Sequence, residues 1–564
     1  MQLNTSSFNP GPVVPLCPPA ASQHTDRGIA AHHHEAWIPG LGSGFLARIL
    51  VLLAIVLLAG CGALPAQVGK SDSFALPPAA EGTLVRMARD STPSPEQSGF
   101  RLIPLGVYSL DARLYLIERS EHSLDLQYYV IENDATGRIL LRGLRDAARR
   151  GVRVRLLVDD LFTANTEHML RALAAEPNVQ VRLFNPFCCA RRHLLTRFVA
   201  SLGDFSRLNH RMHNKLFLAD GVMAIAGGRN IADEYFTRNP QQNFVDMDAF
   251  IIGSVVSQLG AIFDHYWNSE PAYPVEALVP AAANPQQLSQ HLDDLVGMDP
   301  PEPLDLPPVD MLGYGPISED LDAGRIGLVW GTAYAYADPP SKVMKDDPQD
   351  ALATSVTMNV MDLVRAAKTE VVLTSPYLIP GPDGMDVIRS LKRNRVKLTI
   401  LTNSLAATDS PLVHIGYARY RGDMLREGVD LYELSPARTV RNKRLGLRLL
   451  SASSIGRLHT KTVVIDRNTV FIGSMNLDPR SASKNTELGI IADNPQLARE
   501  MLRVVTIGKL QSAYRVRLAT DDQTLEWLSM DEEHETVLNI EPESSFWTRL
   551  QNFILSPLVP EELL

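Results

Sequence analysis

The sequence predicts an α/β protein built from a duplicated domain, in which each half is a largely parallel β-sheet flanked by helices. The order strand–helix–strand–helix–strand occurs twice along the chain, which is typical of α/β domains with parallel strands. Each half ends in the same pattern of histidine, lysine, aspartate and asparagine. Of the 564 residues, 45% are hydrophobic and 21% are charged, as in globular proteins. This composition excludes a disordered chain, a collagen and a polytopic membrane protein.

The charge and the cysteine content narrow the functional class. The formal net charge of −10 argues against a dedicated nucleic-acid-binding protein. The four cysteines are too few for a disulfide framework. Neither paired Cys-x-x-Cys motifs nor a His-Glu-x-x-His motif occurs, so the sequence predicts no zinc site.

An apolar segment near the N-terminus, residues 49–59, has the length of a signal-peptide core. It is shorter than the about 18–20 residues that span a bilayer as a helix. The segment follows Arg48 and ends in Leu58-Ala-Gly-Cys61, which resembles the lipobox of bacterial lipoproteins. We therefore expect Cys61 to be lipidated. An ordinary signal peptide or a buried strand with a chance cysteine is the alternative interpretation.

The first repeat contains three predicted strands and two predicted helices. Leu124, Leu126 and Tyr128 alternate with polar residues, which is typical of a strand, and Gly151 ends the helix that follows. The predicted strands are 123–131, 152–158 and 179–184, and the predicted helices are 137–150 and 167–175.

The second repeat has the same order of elements. Its predicted strands are 370–374, 396–401 and 429–434, and its predicted helices are 384–394 and 412–427. The predicted domain boundaries follow from the two repeats: an N-terminal extension with signal peptide at 1–60, a tether at 61–98, the first domain at 99–270, a proline-rich linker with an excursion at 271–350, the second domain at 351–500 and an amphipathic C-terminal tail at 501–564.

Each repeat ends in the same motif. The first copy contains His213, Lys215, Asp220, Gly227, Gly228 and Asn230, and the second contains His459, Lys461, Asp466, Gly473, Ser474 and Asn476, all at identical spacing. Two copies at equivalent points of a duplicated domain make a chance match negligible.

The residue types of this motif suit a phosphodiester. In a strand, residues two apart face the same side, so each histidine projects together with its lysine. Lysine is a compact cation for phosphate oxygens, and asparagine donates hydrogen bonds as negative charge builds. One histidine can attack phosphorus, while the other protonates the leaving alcohol and deprotonates the incoming one. The sequence therefore predicts a site that needs no metal or cofactor; two core histidines bonded to the backbone are the structural alternative.

The paired motif resembles that of the phospholipase D superfamily over about residues 100–270 and 350–500. The resemblance implies two α/β domains with the active site at their pseudo-twofold interface. It also implies His213 as the nucleophile and His459 as the general acid and base.

The same resemblance implies an acid behind each histidine. Glu487 is expected to orient His459, and Asp246, preferred over Asp248, fills this role in the first copy. Asn230, Asn476 and Ser474 are the expected phosphate-binding residues, the serine in one half alone. The motif aspartates, Asp220 and Asp466, belong to the catalytic pattern, although bracing of a turn is the favoured role for both.

Further segments resemble bacterial cardiolipin synthases of the C type, among them 185–187, 204–209, 402–409 and 413–420. This resemblance implies transfer of a phosphatidyl group between phospholipids such as phosphatidylglycerol and phosphatidylethanolamine. With the lipobox, it places a lipid-anchored enzyme in the bacterial cell envelope, with its catalytic domain on the periplasmic side of a membrane and no nucleic acid as partner. A hydrolase or nuclease, and a lipid-binding envelope protein without activity, are the competing interpretations.

Two secondary features remain open at this stage. His414, Tyr417 and Tyr420 suit either a head-group pocket or a structural helix face. The apolar residues around Trp547 and Phe553 suit either a membrane interface or core packing.

Overall fold

A computed structural model of the protein describes the chain from residue 64 onward, with gaps. The described ranges are 64–65, 69–280, 283–299, 301–344, 355–439, 455–531, 534–557 and 559–560. Cys61 and the predicted signal peptide lie outside the described residues. Among the helices of the described part, none has the length and apolar character needed to cross a membrane.

The first half forms one mixed sheet flanked by helices. Its strands are β1 (Ser98–Ile103), β2 (Ser123–Tyr128), β3 (Arg153–Asp159), β4 (Val179–Phe184), β5 (Leu216–Ala219), β6 (Met223–Gly227), β7 (Gln242–Val245), β8 (Asp248–Gly253) and β9 (Ala272–Pro274). Its helices are α1 (Thr83–Ser91), α2 (Gly106–Arg119), α3 (Ala135–Arg149), α4 (Glu167–Leu173), α5 (Leu194–Ala200), α6 (Phe205–Leu208), α7 (Ser254–Asn268) and α8 (Val275–Leu278).

The strand order in this sheet is β9-β4-β3-β2-β5-β6-β8-β1, with β7 outside it. The three predicted strands, β2 to β4, are mutually parallel, and the rest are antiparallel. The helix between β2 and β3 forms because Asp134 accepts a hydrogen bond from Gly137 N at its start, and because Leu140 and Leu144 share one buried face.

The second half repeats this architecture. Its strands are β10 (Val329–Ala337), β11 (Glu370–Thr374), β12 (Lys397–Asn403), β13 (Asp430–Leu434), β14 (Ile455–Leu458), β15 (Thr462–Ile465), β16 (Thr469–Gly473), β17 (Leu488–Asp493), β18 (Ala513–Leu518), β19 (Leu525–Asp531) and β20 (His534–Leu538). The helices from the linker onward are α9 (Pro285–Val296), α10 (Ile317–Asp322), α11 (Val356–Ala366), α12 (Gly381–Arg393), α13 (Pro411–Arg426), α14 (Pro479–Ser483), α15 (Pro495–Ser512) and α16 (Phe546–Leu555).

The strand order of the second sheet is β10-β17-β16-β15-β11-β12-β13-β18-β19-β20. It matches the first sheet strand for strand from β10, the counterpart of β1, to β18, the counterpart of β9. The predicted duplicated α/β fold is therefore confirmed.

The linker and the tail are more structured than the sequence predicted. Strand β10 falls inside the predicted linker and pairs with β17 along most of its length, and its first residues pair with β1. This strand therefore joins the two sheets. Helix α15 passes through the predicted boundary at residue 500, and β18 after it extends the second sheet beside β13.

The predicted tether packs against the first domain over its described residues. Ala75 N donates to the Asp264 carboxylate of α7, and α1 buries Leu84 and Ala88. At the other end of the chain, Trp547 and Phe553 on α16 are 74% and 78% exposed, so they do not pack in the core.

Candidate active site

Two short strand pairings across the halves bring the predicted residues together. Strands β7 and β14 form a parallel ladder whose last pair is Val245 and Leu458. The next residue on one strand is Asp246 and on the other is His459, so the ladder sets these two side by side. His459 Nδ1 lies 2.7 Å from Asp246 Oδ2.

The second pairing places His213. An isolated parallel bridge joins Met212 to Thr486, and His213 N donates to Thr486 O over 2.9 Å. The residue after Thr486 is Glu487, whose Oε2 lies 3.0 Å from His213 Nδ1.

These contacts correct the predicted pairing of acids and histidines. The prediction that Glu487 orients His459 is wrong, because Glu487 contacts His213 and Asp246 contacts His459. Each histidine is held by an acid from the other half. The physical reason is that the segments carrying the histidines pair with strands across the interface and not within their own half.

The lysines lie beside their own histidines, in extended segments that end just before β5 and β15. Lys215 Nζ donates to His213 O over 2.6 Å, and Lys461 Nζ donates to His459 O over 2.5 Å. Burial lowers the pKa of Lys461 to about 8, against the opposing charge of Asp246, and lowers the pKa of Lys215 well below its usual value. Burial therefore disfavours the charged form of both lysines, and an anion bound beside them would favour it.

The two acids differ in their electrostatics. Burial raises the pKa of Asp246 to about 7, although Lys461 partly offsets this effect. Burial acts in the same direction on Glu487, but His213 and Lys215 outweigh it and hold its pKa below the usual value. At neutral pH, Glu487 is ionised, whereas the pair of Asp246 and His459 holds a proton for part of the time.

The histidines themselves are buried and neutral at rest. Burial lowers the pKa of His213 to about 4, against the attraction of Glu487. Burial, together with the charges of Lys461 and Lys215, lowers the pKa of His459 well below its usual value. Tyr129 packs edge-on against His213, with ring centroids 5.1 Å apart.

Among the six motif positions named above, the two copies differ at one, where the first has Gly228 and the second has Ser474. This difference matches the difference between the acids. Ser474 Oγ donates to Glu487 Oε2 over 2.5 Å and accepts from Leu488 N, so its single proton is engaged by the acid. Ser474 thus orients an acid in the structure, and its predicted phosphate contact stays a prediction. A Cβ atom at Gly228 would lie 2.2 Å from Asp246 Oδ1, so the shorter acid needs the glycine.

The two asparagines have different surroundings. Asn230 Nδ2 donates to Tyr235 Oη over 3.0 Å, and its Oδ1 accepts from Val130 N. Asn476 is buried, and its Oδ1 has no hydrogen-bond partner among the described residues. Asn476 therefore keeps an unused buried polar atom.

The motif aspartates brace turns. Asp220 accepts from the backbone amides of Glu121, His122 and Ser123. Asp466 accepts from the amides of residues 368–370 in the same way. Each follows a four-residue strand, at the end opposite its histidine, which puts it roughly 20 Å from the histidine along an extended chain. Both therefore lie outside the catalytic centre, in the bracing role that the sequence favoured.

A buried ion pair in the predicted linker holds Glu487 in place, and sequence reasoning missed it. Asp338 Oδ2 accepts from Glu487 N, and Lys342 Nζ donates to Asp338 Oδ2 over 2.6 Å and to Ser481 O. Ser481 Oγ in turn donates to Glu487 Oε1 over 2.8 Å. The i,i+4 spacing of Asp338 and Lys342 is typical of an ion pair and was visible in the sequence. No neighbouring motif residue, however, indicates that this pair lies beside the catalytic site.

The remaining predicted residues lie elsewhere. His414 Nε2 lies 3.4 Å from Glu541, and Tyr417 Oη donates to Glu433, so both belong to a buried network on α13. This agrees with the structural interpretation of these residues. In the part of the chain that the structure describes, no group of three or more His, Cys, Asp or Glu side chains could hold a metal ion.

Comparison with known proteins identifies the family. A family model described as "Cardiolipin synthase, PLD-like domain" matches residues 114–267 and 360–505, which carry both motif copies. The chain belongs to the phospholipase D family. Its recognition from the paired motifs is therefore confirmed, and the protein is a phosphatidyltransferase of the phospholipase D family.

Relatives within the phospholipase D family cover most of the chain. The protein is 36% identical over 476 residues to cardiolipin synthase C of Escherichia coli, across 83% of this chain and 97% of the relative. It is 31% identical to an uncharacterized protein of Helicobacter pylori, across 81% of this chain and 88% of that protein. The crystal structure of phosphatidylserine synthase from Haemophilus influenzae has a TM-score of 0.52 at 12% identity and covers 85% of this chain and all of its own, which shows a common fold.

Proposed function

We propose that this protein makes cardiolipin by transferring a phosphatidyl group between two phospholipids through a phosphohistidine on His213. The observation that carries the proposal is the pair of crossed contacts, His213 with Glu487 and His459 with Asp246. It gives two buried histidines with unequal acids and two lysines around one centre. This arrangement suits a covalent transfer with one nucleophile and one proton carrier.

In the first step, His213 Nε2 attacks phosphorus and the bond from phosphorus to the head-group oxygen breaks. Ionised Glu487 accepts a hydrogen bond from His213 Nδ1–H, which leaves the Nε2 lone pair free for the attack. His459 gives its Nε2 proton to the leaving alcohol and is resupplied at Nδ1 by Asp246. The lysines stabilise the negative oxygens of phosphorus during the attack.

In the second step, a hydroxyl group of phosphatidylglycerol attacks the phosphohistidine. His459 takes the proton of this hydroxyl, the bond between phosphorus and His213 breaks, and cardiolipin is released. Phosphatidylglycerol or phosphatidylethanolamine is the proposed donor in the first step, and the released alcohol is then glycerol or ethanolamine. The name of the Escherichia coli relative supports cardiolipin as the product.

We further propose that the protein is a lipoprotein of the bacterial cell envelope, anchored through Cys61 with its catalytic domain on the periplasmic side. The apolar run that ends in Leu58-Ala-Gly-Cys61 supports this location. Cys61→Ser should abolish incorporation of labelled fatty acid and move the protein out of the membrane fraction. The matched control is Cys188→Ser, which should leave labelling unchanged. Full labelling of the Cys61→Ser variant would contradict the proposal.

Trapping the phosphohistidine intermediate tests which histidine is the nucleophile and which is the proton carrier. His459→Ala should still form phosphohistidine from a substrate with a good leaving group and should discharge it slowly, since only its proton carrier is gone. His213→Ala should form no adduct. The enzyme is quenched with denaturant and digested at alkaline pH, where the phosphorus–nitrogen bond is stable. Mass spectrometry of the peptides then locates the adduct, and an adduct on His459 in the His213→Ala variant would reverse the assignment.

The products separate transfer from hydrolysis. Purified protein with phosphatidylglycerol, with and without phosphatidylethanolamine, should yield cardiolipin as the main lipid product. Phosphatidic acid as the main product would identify a hydrolase instead. Absence of turnover with every phospholipid would favour the lipid-binding alternative.

A further inference from the structure

The second half contains a cavity of about 370 Å³ between helices α11 and α12 and the sheet strands beneath them. This volume lies within the range of small-molecule sites. Most of its wall is apolar and includes Met358, Met361, Val364, Val387, Leu391 and Leu398. Methionine side chains adapt to ligands of variable shape, which suits a flexible apolar ligand.

One segment of chain forms both a wall of this cavity and part of the catalytic site. Leu477 and Pro479 line the cavity. Asn476, directly before them, belongs to the motif, and Ser481, two residues after Pro479, donates to Glu487. The cavity therefore lies directly behind the residues that hold the catalytic acid of His213.

The charged residues of the lining lie at its margins or are already bonded. Arg365 and Asp383 are exposed, and Asp478 accepts from Ser481 N over 2.7 Å as the cap of α14. A phosphate-rich or sugar-like ligand would find few partners on the remaining wall, because burying unpaired polar groups is costly. A hydrocarbon chain meets no such cost.

In the first half, side chains occupy the position that corresponds to this cavity. Helices α2 and α3, the counterparts of α11 and α12, pack so closely that a Cβ atom on Gly143 would lie 3.1 Å from Ile117. Leu140, Leu141 and Leu144 of α3 are fully buried. The duplicated domains therefore differ here, and the space is a feature of the second half.

We propose that this cavity receives one acyl chain of the phospholipid whose phosphate is bound between the two histidines. The inference rests on the proposed function, since it assumes a phospholipid substrate. It adds that the enzyme binds its substrate through an acyl chain as well as through the phosphate. Only the second half binds this acyl chain. Substrates with long chains should therefore bind more tightly than short-chain analogues with the same head group.

Photolabelling tests the site in the unaltered protein. The probe is phosphatidylglycerol with a diazirine at the end of one acyl chain, in detergent micelles. After illumination, peptides of α11 and α12 should carry the label, and excess unlabelled dioleoyl phosphatidylglycerol should suppress it. Label confined to other parts of the chain would overturn the inference. Lipid products are measured in the same sample, so failure of transfer is detected separately from failure of labelling.

Two variants of helix α11 test whether the cavity strengthens the binding of long-chain substrates. Met361→Trp narrows the cavity, whereas Leu363→Trp, also half-buried on α11, is the matched control outside its lining. Met361→Trp should raise KM for dioleoyl phosphatidylglycerol about tenfold, which corresponds to excluding about two methylenes. KM for dihexanoyl phosphatidylglycerol should stay within about twofold, which also shows that the variant is folded, and Leu363→Trp should change neither value. An unchanged KM for the dioleoyl lipid in Met361→Trp would overturn the inference. An equal rise in KM for both lipids in both variants would overturn it as well.

Discussion

At the scale of single residues, one difference between the two halves of the site is the acid and the residue beside it. Glu487 is ionised and held by Ser474, whereas Asp246 stands against Gly228 and holds a proton near neutral pH. Pseudo-symmetric histidines thus acquire unequal chemistry from small differences in their surroundings. This inequality supports His213 as the nucleophile, an assignment that the motif by itself takes from family resemblance.

The pH dependence of activity should report these groups. His213, with a pKa of about 4, is neutral and nucleophilic throughout the range above that value. In the proposed mechanism a proton on Asp246 resupplies His459. Asp246, with a pKa of about 7, loses this proton as pH rises through that value, and Lys461 loses its charge near 8. We expect kcat/KM to be flat in mildly acidic solution and to fall above neutrality.

Asp246→Asn is the test of this prediction. Asparagine does not titrate, so the variant should be slower and should lose the fall near pH 7 while keeping the fall near pH 8. Glu487→Gln serves as the matched control, because its fall near pH 7 should remain. The measurement is kcat/KM across the pH range for both variants and the parent. A fall near pH 7 that persists in Asp246→Asn would assign it to another group.

At the scale of elements, a short segment outside the repeats helps to position the catalytic residue Glu487. Strand β10 and the residues after it lie in a region that composition identifies only as a linker. They nevertheless supply Asp338, which accepts a hydrogen bond from Glu487 N, and Lys342, which donates to Asp338 and to Ser481 O. The element order of each repeat could be predicted from periodicity, whereas this contact depends on a strand whose two partners, β1 and β17, are far away in sequence.

Removing one partner of this buried ion pair should be costly. Asp338→Asn leaves Lys342 charged and buried, so we expect a loss of about 3–5 kcal/mol in the free energy of unfolding. Asp362→Asn is the control, since Asp362 and Arg365 form an exposed pair that should contribute less than about 1 kcal/mol. Urea unfolding of both variants measures the difference. Equal stability of the two would show that the ion pair is not buried as described.

At the scale of the whole molecule, the catalytic site is complete only when both halves meet. Buried residues of one core cluster come from both halves, including Phe100 and Met212 from the first and Val464 and Ile472 from the second. The ladder of β7 and β14 and the isolated bridge between Met212 and Thr486 then set each histidine against the acid of the other half.

Double-mutant cycles test this crossed arrangement. His213→Ala with Glu487→Gln, and His459→Ala with Asp246→Asn, should show coupling energies of about 0.5–3 kcal/mol in the free energy of unfolding. The uncrossed pairs, His459 with Glu487 and His213 with Asp246, should couple by less than about 0.5 kcal/mol. Stability is the readout because it remains measurable in inactive variants. Stronger coupling in the uncrossed pairs would contradict the structure.

The sequence by itself determined the repeated order of elements, the paired motif and the family. Each of these depends on local periodicity or on residue identity at fixed spacing, so Leu140 and Leu144 or His213 and Lys215 are sufficient evidence. Only the tertiary structure decided which acid meets which histidine and where the acyl-sized cavity lies. Glu487 and His213 are 274 residues apart, and Asp246 and His459 are 213 apart. Their pairing is set by strands that meet across the pseudo-twofold interface, and no local pattern along the chain records that contact.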